Sequence, residues 1–124
     1  MTGGLGVIAA GAVACGLIAG GWRPLSRVEV RGDSMRPAFE PGDRLVLVKD
    51  RRARPGDVVT VTDPRQPGRT VLKRVAARDP GGLTVLGDNH AASTDSRTWG
   101  PVAPSTVGGR AVYRYFPDSR RGLL

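Results

Sequence analysis

Cysteine, histidine and lysine are scarce in this chain of 124 residues, and each scarcity closes off a class of chemistry. Cys15 is the only cysteine, so no intrachain disulfide can staple the fold. It lies within an apolar N-terminal run and reads as a small packing residue rather than a nucleophile. His90 is the only histidine. Any Ser–His–Asp arrangement would have to use it, and a zinc site built on one His and a Cys in an apolar run is a poor ligand set. Aromatics are 5% of the chain and nowhere interleave with basic residues, so a single-stranded nucleic acid finds no stacking platform despite a formal charge of +8. No metal, nucleotide or other cofactor is implied.

The scarcity of lysine carries more information. Of 19 basic residues, only Lys49 and Lys73 are lysine. Arginine serves almost wherever a positive charge is needed. A retained lysine is therefore a candidate for what arginine cannot do, which is to lose its proton near neutral pH.

Charge is absent altogether from residues 3–21, GGLGVIAAGAVACGLIAGG. As a helix this stretch spans about 28 Å, close to the hydrocarbon thickness of a bilayer. Trp22 and Arg23 then stand where an interfacial anchor belongs. The expectation is one membrane helix touching lipid through residues 3–21. Three other readings stay open: a cleaved signal peptide ending near Ala12-Val13-Ala14, a lipid-modified Cys15, and a flexible glycine-rich tail. The expected organisation is an anchor over 1–22, one folded domain over 23–117 and a disordered tail over 118–124.

Beyond Pro24 the pattern is two-residue alternation and short apolar runs. Strands are expected at 27–31, 44–48, 57–62, 70–77, 83–86 and 107–115. Turn signals separate them, among them Glu40-Pro41-Gly42-Asp43 and Arg54-Pro55-Gly56-Asp57. No later segment reads as a long amphipathic helix. The fold class is all-β, as coiled antiparallel sheets or a small barrel.

Three stretches carry chemistry. In Gly32-Asp33-Ser34-Met35-Arg36-Pro37 a serine sits in a turn after a strand. In Val71-Leu72-Lys73-Arg74-Val75, alternation sets Lys73 inward if Arg74 faces water. Burial lowers an amine's pKa, and a neutral lysine can take the proton of a serine hydroxyl. The third stretch, from Gly87-Asp88-Asn89 through Ser93, Asp95 and Arg97 to Trp99-Gly100, is dense in small polar residues. Taken singly, a turn serine, an edge-strand lysine and a surface loop are the bland accounts of these stretches.

Their order, S-M-x-P, then a strand with K-R, then G-D-N-x-x-x-S-x-D-S-R-x-W-G, resembles the type I signal peptidases over about Val28 to Val102. The resemblance implies a Ser–Lys serine protease on an all-β fold. It implies Ser34 as nucleophile and Lys73 as general base. Ser93 would orient the lysine, and Asp95 with Arg97 would brace the site. Gly87, Asp88 and Asn89 would shape the adjoining strand end, and Met35 and Pro37 would set the nucleophile turn. The Ser34 N–H would supply one oxyanion donor. Some members add a hydroxyl two residues earlier, where this chain has Gly32, so the second donor is open. His90 stands where arginine is commoner.

The implied substrates are precursor proteins, bound as an added strand and cut after Ala-x-Ala-like sequences beside the membrane. The implied location is the cell membrane, single-pass, with the catalytic domain outside the cytoplasm. Arg23, Arg27 and Arg31 after the apolar stretch oppose that orientation. Two alternatives remain. One is a maturation protease for a single client, such as a nickel superoxide dismutase precursor. The other is a membrane-tethered β module that binds peptide or lipid without catalysis. The self-cleaving repressors also use Ser and Lys on a similar fold, but they lack the GDN…S-x-D-S-R stretch. The number of copies in the active form is not written in the sequence.

Overall fold

The PGD sequences explain much of how this chain turns. In Glu40-Pro41-Gly42-Asp43 and Arg54-Pro55-Gly56-Asp57 the glycines take φ +94° and +97°, a region that a side chain rarely tolerates. Proline before such a glycine is the pattern of a type II turn. Each aspartate then closes its turn twice. Its N–H donates to the carbonyl three residues back, at 3.0 Å in both. Its carboxylate accepts the N–H of that same residue, at 2.9 Å in both.

Residues 7–13, 25–50 and 52–124 are described in the computed structural model. The strands are β1 (Val7–Val13), β2 (Leu25–Val30), β3 (Arg44–Val48), β4 (Val58–Asp63), β5 (Gln66–Asp79), β6 (Gly82–Leu86), β7 (Val107–Phe116) and β8 (Gly122–Leu123). One four-residue helix, α1 (Ser96–Trp99), lies between β6 and β7. All pairings are antiparallel, in the order β1-β2-β3-β7-β4-β5-β6, with β8 on β7. Register shifts in β3, β4 and β5 coil the sheet. Among the described residues no ladder joins β6 back to β1, so the coiled sheet stays open rather than closing into a barrel.

Coiling gives the sheet two cores. Val28, Val30, Met35, Phe39, Leu45, Leu47, Val58, Leu72 and Ala111 form one. Val59, Val61, Val71, Val75, Leu83, Val85, Val102 and Val107 are the main part of the other. At Val71-Leu72-Lys73 the strand is therefore buried on both faces.

Two expectations differ from what is found. A membrane helix over 3–21 is expected, yet Val7–Val13 is the strand β1, paired with β2 from Val30 to Leu25. An apolar run alone does not distinguish helix from strand. The run holds seven glycines, and β2 offers a free edge with which it can pair. The rest of 3–21 lies outside the described residues, and among those described no helix is long and apolar enough to cross a membrane. The expected tail is not disordered. Asp118–Arg120 makes a 3-10 turn, and β8 pairs with β7 at Tyr113 and Arg114.

The anchor of that tail is Asp43, at 1% exposure. Its carboxylate accepts from Arg114 Nη1 at 3.1 Å and from Arg120 Nη2, joining the first PGD turn to β7 and the C-terminal turn. Removing one side of a buried pair strands the other. Asp43→Ala is expected to lower stability by about 3 kcal/mol in urea unfolding. Asp57→Ala, at the equivalent turn position but with only its local hydrogen bond to lose, should cost about 1 kcal/mol or less.

Candidate active site

Ser34 lies in the turn that follows β2. Buried apolar residues hold this turn at three points: Val30 ahead of it, then Met35 and Phe39 after it. The Phe39 N–H donates to the Met35 carbonyl at 2.9 Å, and the Arg36 N–H donates to Asp33 at 3.2 Å. Ser34 itself is 3% exposed. Gly32 precedes it at φ +76°, and Pro37, on the outer side of the turn, is exposed.

Lys73 stands in the middle of β5 with no exposed surface. Its cross-strand partner is Val59, and Val71 and Val75 lie two residues away along the same face. Burial among these side chains pushes its amine down to about 8 from an ordinary 10.5; the negative charge of Asp95 opposes the shift, and Arg69 adds to it.

The partners of Lys73 come from the segment after β6. Lys73 Nζ donates to Ser93 Oγ at 3.0 Å, and Ser93 Oγ donates to Asp95 Oδ2 at 2.8 Å. The direction is fixed by chemistry: an ionised carboxylate only accepts, so the Ser93 proton points to Asp95 and the Ser93 oxygen accepts from the amine. Asp95 is ionised despite its burial. Burial alone would raise its pKa, but the Arg97 side chain, the Gly87 N–H, the Ser93 hydroxyl and the Arg97 N–H together hold it at about 2. Asp95 also caps α1 through the Arg97 N–H. Arg97 is multidentate: beyond Asp95, its Nη2 reaches the carbonyls of His90 at 2.8 Å and Ser93 at 3.2 Å.

Gly87 joins the two halves. A Cβ there would fall 2.2 Å from Ser93 Oγ and 2.8 Å from the Ser34 carbonyl oxygen. Only a glycine allows the serine turn and the lysine's partner to approach from opposite sides. Asn89 completes the junction: its N–H donates to the Ser34 carbonyl at 2.8 Å, and its Nδ2 to the Asp33 carbonyl at 3.1 Å.

Ser34, Lys73, Ser93, Asp95, Arg97, Gly87 and Asn89 are thus brought together, with Gly32 and Met35 in the supporting turn. Asp88 faces elsewhere. It forms a bidentate pair with Arg74, at 2.9 and 2.8 Å, on the face of β5 opposite Lys73. Sequence reading missed Arg74, which also donates to the Gly56 carbonyl at 2.9 Å and fixes β5 against the second PGD turn. Its position next to the lysine was visible, but its partner was not. Among the described residues the hydrogen bond of Lys73 runs to Ser93, and none joins Nζ to the Ser34 hydroxyl. His90 is exposed and contributes only its carbonyl. No group of His, Cys, Asp and Glu fit to hold a metal occurs among the described residues.

Set against known proteins, residues 23–98 match the family described as Peptidase S24-like. The mitochondrial ATP-independent inner membrane protease subunit 1a of Arabidopsis thaliana is 33% identical over 81% of this chain and 76% of its own length. The mitochondrial inner membrane protease subunit 2 of Danio rerio is 32% identical over 73% of this chain and 64% of its own. A probable signal peptidase I-1 of Synechocystis is 28% identical over 77% and 73%.

Proposed function

Since the chain belongs to the Peptidase S24-like family, among its type I signal peptidase-like proteases, we propose that it is a membrane-associated serine endopeptidase that removes leader sequences from precursor proteins, with Ser34 as nucleophile and Lys73 as general base. The observation that carries this reading is the state of Lys73: a fully buried lysine whose amine sits near 8, held to Ser93 at 3.0 Å beside the nucleophile's turn.

The steps follow from the hydrogen bonds. One N–H of the neutral amine is committed to Ser93, which fixes the rotation of Nζ and leaves its lone pair free for the Ser34 proton. The hydrogen bond from the Ser34 hydroxyl to Nζ forms as substrate enters, since catalytic hydrogen bonds are often completed only in the substrate complex. Ser34 Oγ attacks the scissile carbonyl while Lys73 takes its proton. The carbonyl oxygen gains negative charge opposite the Ser34 N–H. The Lys73 ammonium then protonates the leaving amine, and an acyl-Ser34 ester remains. Water, deprotonated by Lys73, attacks the ester, and the proton returns to Ser34 as the acid departs. No cofactor enters any step.

The substrate adds as an extended strand and is cut after a small-x-small sequence of the Ala-x-Ala type. The edge of β2, which leads into Ser34, is the natural place for it. β1 lies along that edge here and must yield to the incoming peptide. We place the protein at a membrane on the ground of its relatives, whose names specify an inner membrane. The proposed active site faces outward from the cell. A C-terminal reporter that is active only in the cytoplasm would reverse that orientation.

The test is cleavage of a precursor bearing an Ala-x-Ala site in lipid vesicles, read by the new N-terminus of the product. Cutting at that site by the wild type, lost in folded Ser34→Ala, is the expected result. Folded wild type that cuts no such precursor overturns the leader-processing reading and favours a single dedicated client. Retained cutting by Ser34→Ala removes Ser34 as nucleophile.

A further inference from the structure

Among the described residues, the hydrogen bonds that reach the two peptide units of Ser34 from another segment come from Asn89. Asn89, 56 positions after Asp33, donates from its side chain to the Asp33 carbonyl and from its backbone to the Ser34 carbonyl. These two carbonyls belong to the two peptide units that flank Ser34. The Asp33 carbonyl and the Ser34 N–H share one planar unit, so fixing the direction of the oxygen fixes the N–H in the opposite direction. That N–H is the oxyanion donor of the proposed reaction.

The same unit has little else to brace it. Gly32, just ahead, carries no side chain and sits at φ +76°. The remaining bond to the Asp33 carbonyl is the turn's own Arg36 N–H, at 3.2 Å. The Asp33 carboxylate does not contribute, since it is exposed and paired with Arg36 at 3.0 Å. A donor on the carbonyl also polarises the amide and makes its N–H the stronger donor, by hydrogen-bond cooperativity.

We propose that Asn89 is a positioning residue for the oxyanion peptide: through the Asp33 carbonyl its side-chain amide aims and strengthens the Ser34 N–H. This rests on the serine-peptidase reading above. It also says why an amide is wanted at this position. A carboxylate of the same size would set an acceptor against the Asp33 carbonyl and a negative charge beside the developing oxyanion.

The experiment measures kcat and KM separately for precursor cleavage by wild type, Asn89→Ala and Asn89→Asp, with thermal melting alongside. A peptide boronate, whose adduct on Ser34 is tetrahedral and negatively charged, is titrated against each. Loss of one oxyanion donor outright costs about 10²–10³-fold in kcat, and a donor that is misaimed but present should cost about 10–100-fold. Asn89→Ala is expected to lose that much in kcat with KM within about twofold. Asn89→Asp should lose at least as much; in both variants boronate affinity should fall in proportion to kcat/KM, and in the uncharged Asn89→Ala the rising pH limb should stay unmoved. If Asn89→Ala fails to fold, the isosteric Asn89→Asp decides alone. Active wild type with unimpaired variants overturns this inference only. So does a loss that appears in KM, or one without a parallel loss of boronate affinity. Folded wild type that cleaves no precursor overturns the functional reading instead.

Discussion

Lys73→Met is expected to give a protein that is more stable than the wild type and has no peptidase activity. The two effects share one cause. Lys73 has no exposed surface, and burial holds its amine at about 8 instead of 10.5. A depressed lysine pKa means that the folded state binds the proton less tightly than the unfolded state. At pH 7 that difference costs about 3 kcal/mol, since each pKa unit is about 1.4 kcal/mol. Methionine fills similar space without charge, although Ser93 Oγ then loses a donor. A net gain on the order of 1–2 kcal/mol should remain.

The pH dependence gives the sign. Between about 8 and 10.5 the unfolded wild type holds a proton that the folded one has released, so wild-type stability rises with pH there. The advantage of Lys73→Met should therefore be full below 8 and shrink across that window. Differential scanning calorimetry from pH 6 to 10.5 measures it. A melting temperature lowered at pH 7 would show that the burial of Lys73 is not a strain on the fold. In activity, kcat/KM of the wild type should rise about tenfold per pH unit below 8 and level off above it, as expected for a base that must be neutral. Lys73→Met should lose at least about 10³-fold, as removal of one member of a nucleophile–base unit does elsewhere.

Gly87→Ala is the second large effect. The added carbon would lie 2.2 Å from Ser93 Oγ, 2.5 Å from Ser93 Cβ and 2.8 Å from the Ser34 carbonyl oxygen. No flexible side-chain end is available to give way. Ser93 must leave Lys73 and Asp95, or the Ser34 turn must back away from Asn89. Overpacking of this kind costs about 1–3 kcal/mol. The larger loss is catalytic: kcat should fall at least about 10²-fold, because small misplacements of reacting groups have effects of that size. Steady-state kinetics and a melting curve on one sample separate the two effects. An alanine variant with near-normal kcat would mean that the serine turn and Ser93 are not locked through Gly87.

Legibility in the sequence was uneven, for physical reasons. Strands β2 to β7 follow alternation and turn chemistry, and the PGD turns carry their own instructions: a proline that presets φ, a glycine that accepts positive φ, an aspartate that closes the ring. Ser34 and Lys73 stood out because the three motifs occur in order and because lysine is so rare here. The C-terminal segment was misread. Its hold on the domain is Arg120 against Asp43, 77 positions apart, and no local pattern records such a pair. Residues 3–21 were misread over Val7–Val13, because an apolar, glycine-rich run has no period of its own and pairs where a neighbouring edge is free.

The sequence by itself determined the all-β character and the turns, since these depend on local periodicity and on residue type, and the order of its three motifs singled out Ser34 and Lys73 as the candidates for the chemistry. The tertiary structure alone decided what those residues are. It buried Lys73 by coiling the sheet into two cores, so that its amine falls to about 8. It aimed the Ser93 proton at Asp95 by surrounding that carboxylate with donors. It turned Asp88 outward to Arg74 and Asn89 inward to the serine turn, although they are adjacent in the chain. Protonation and orientation depend on which distant segments meet, and those meetings are set by sheet pairing rather than by sequence neighbourhood.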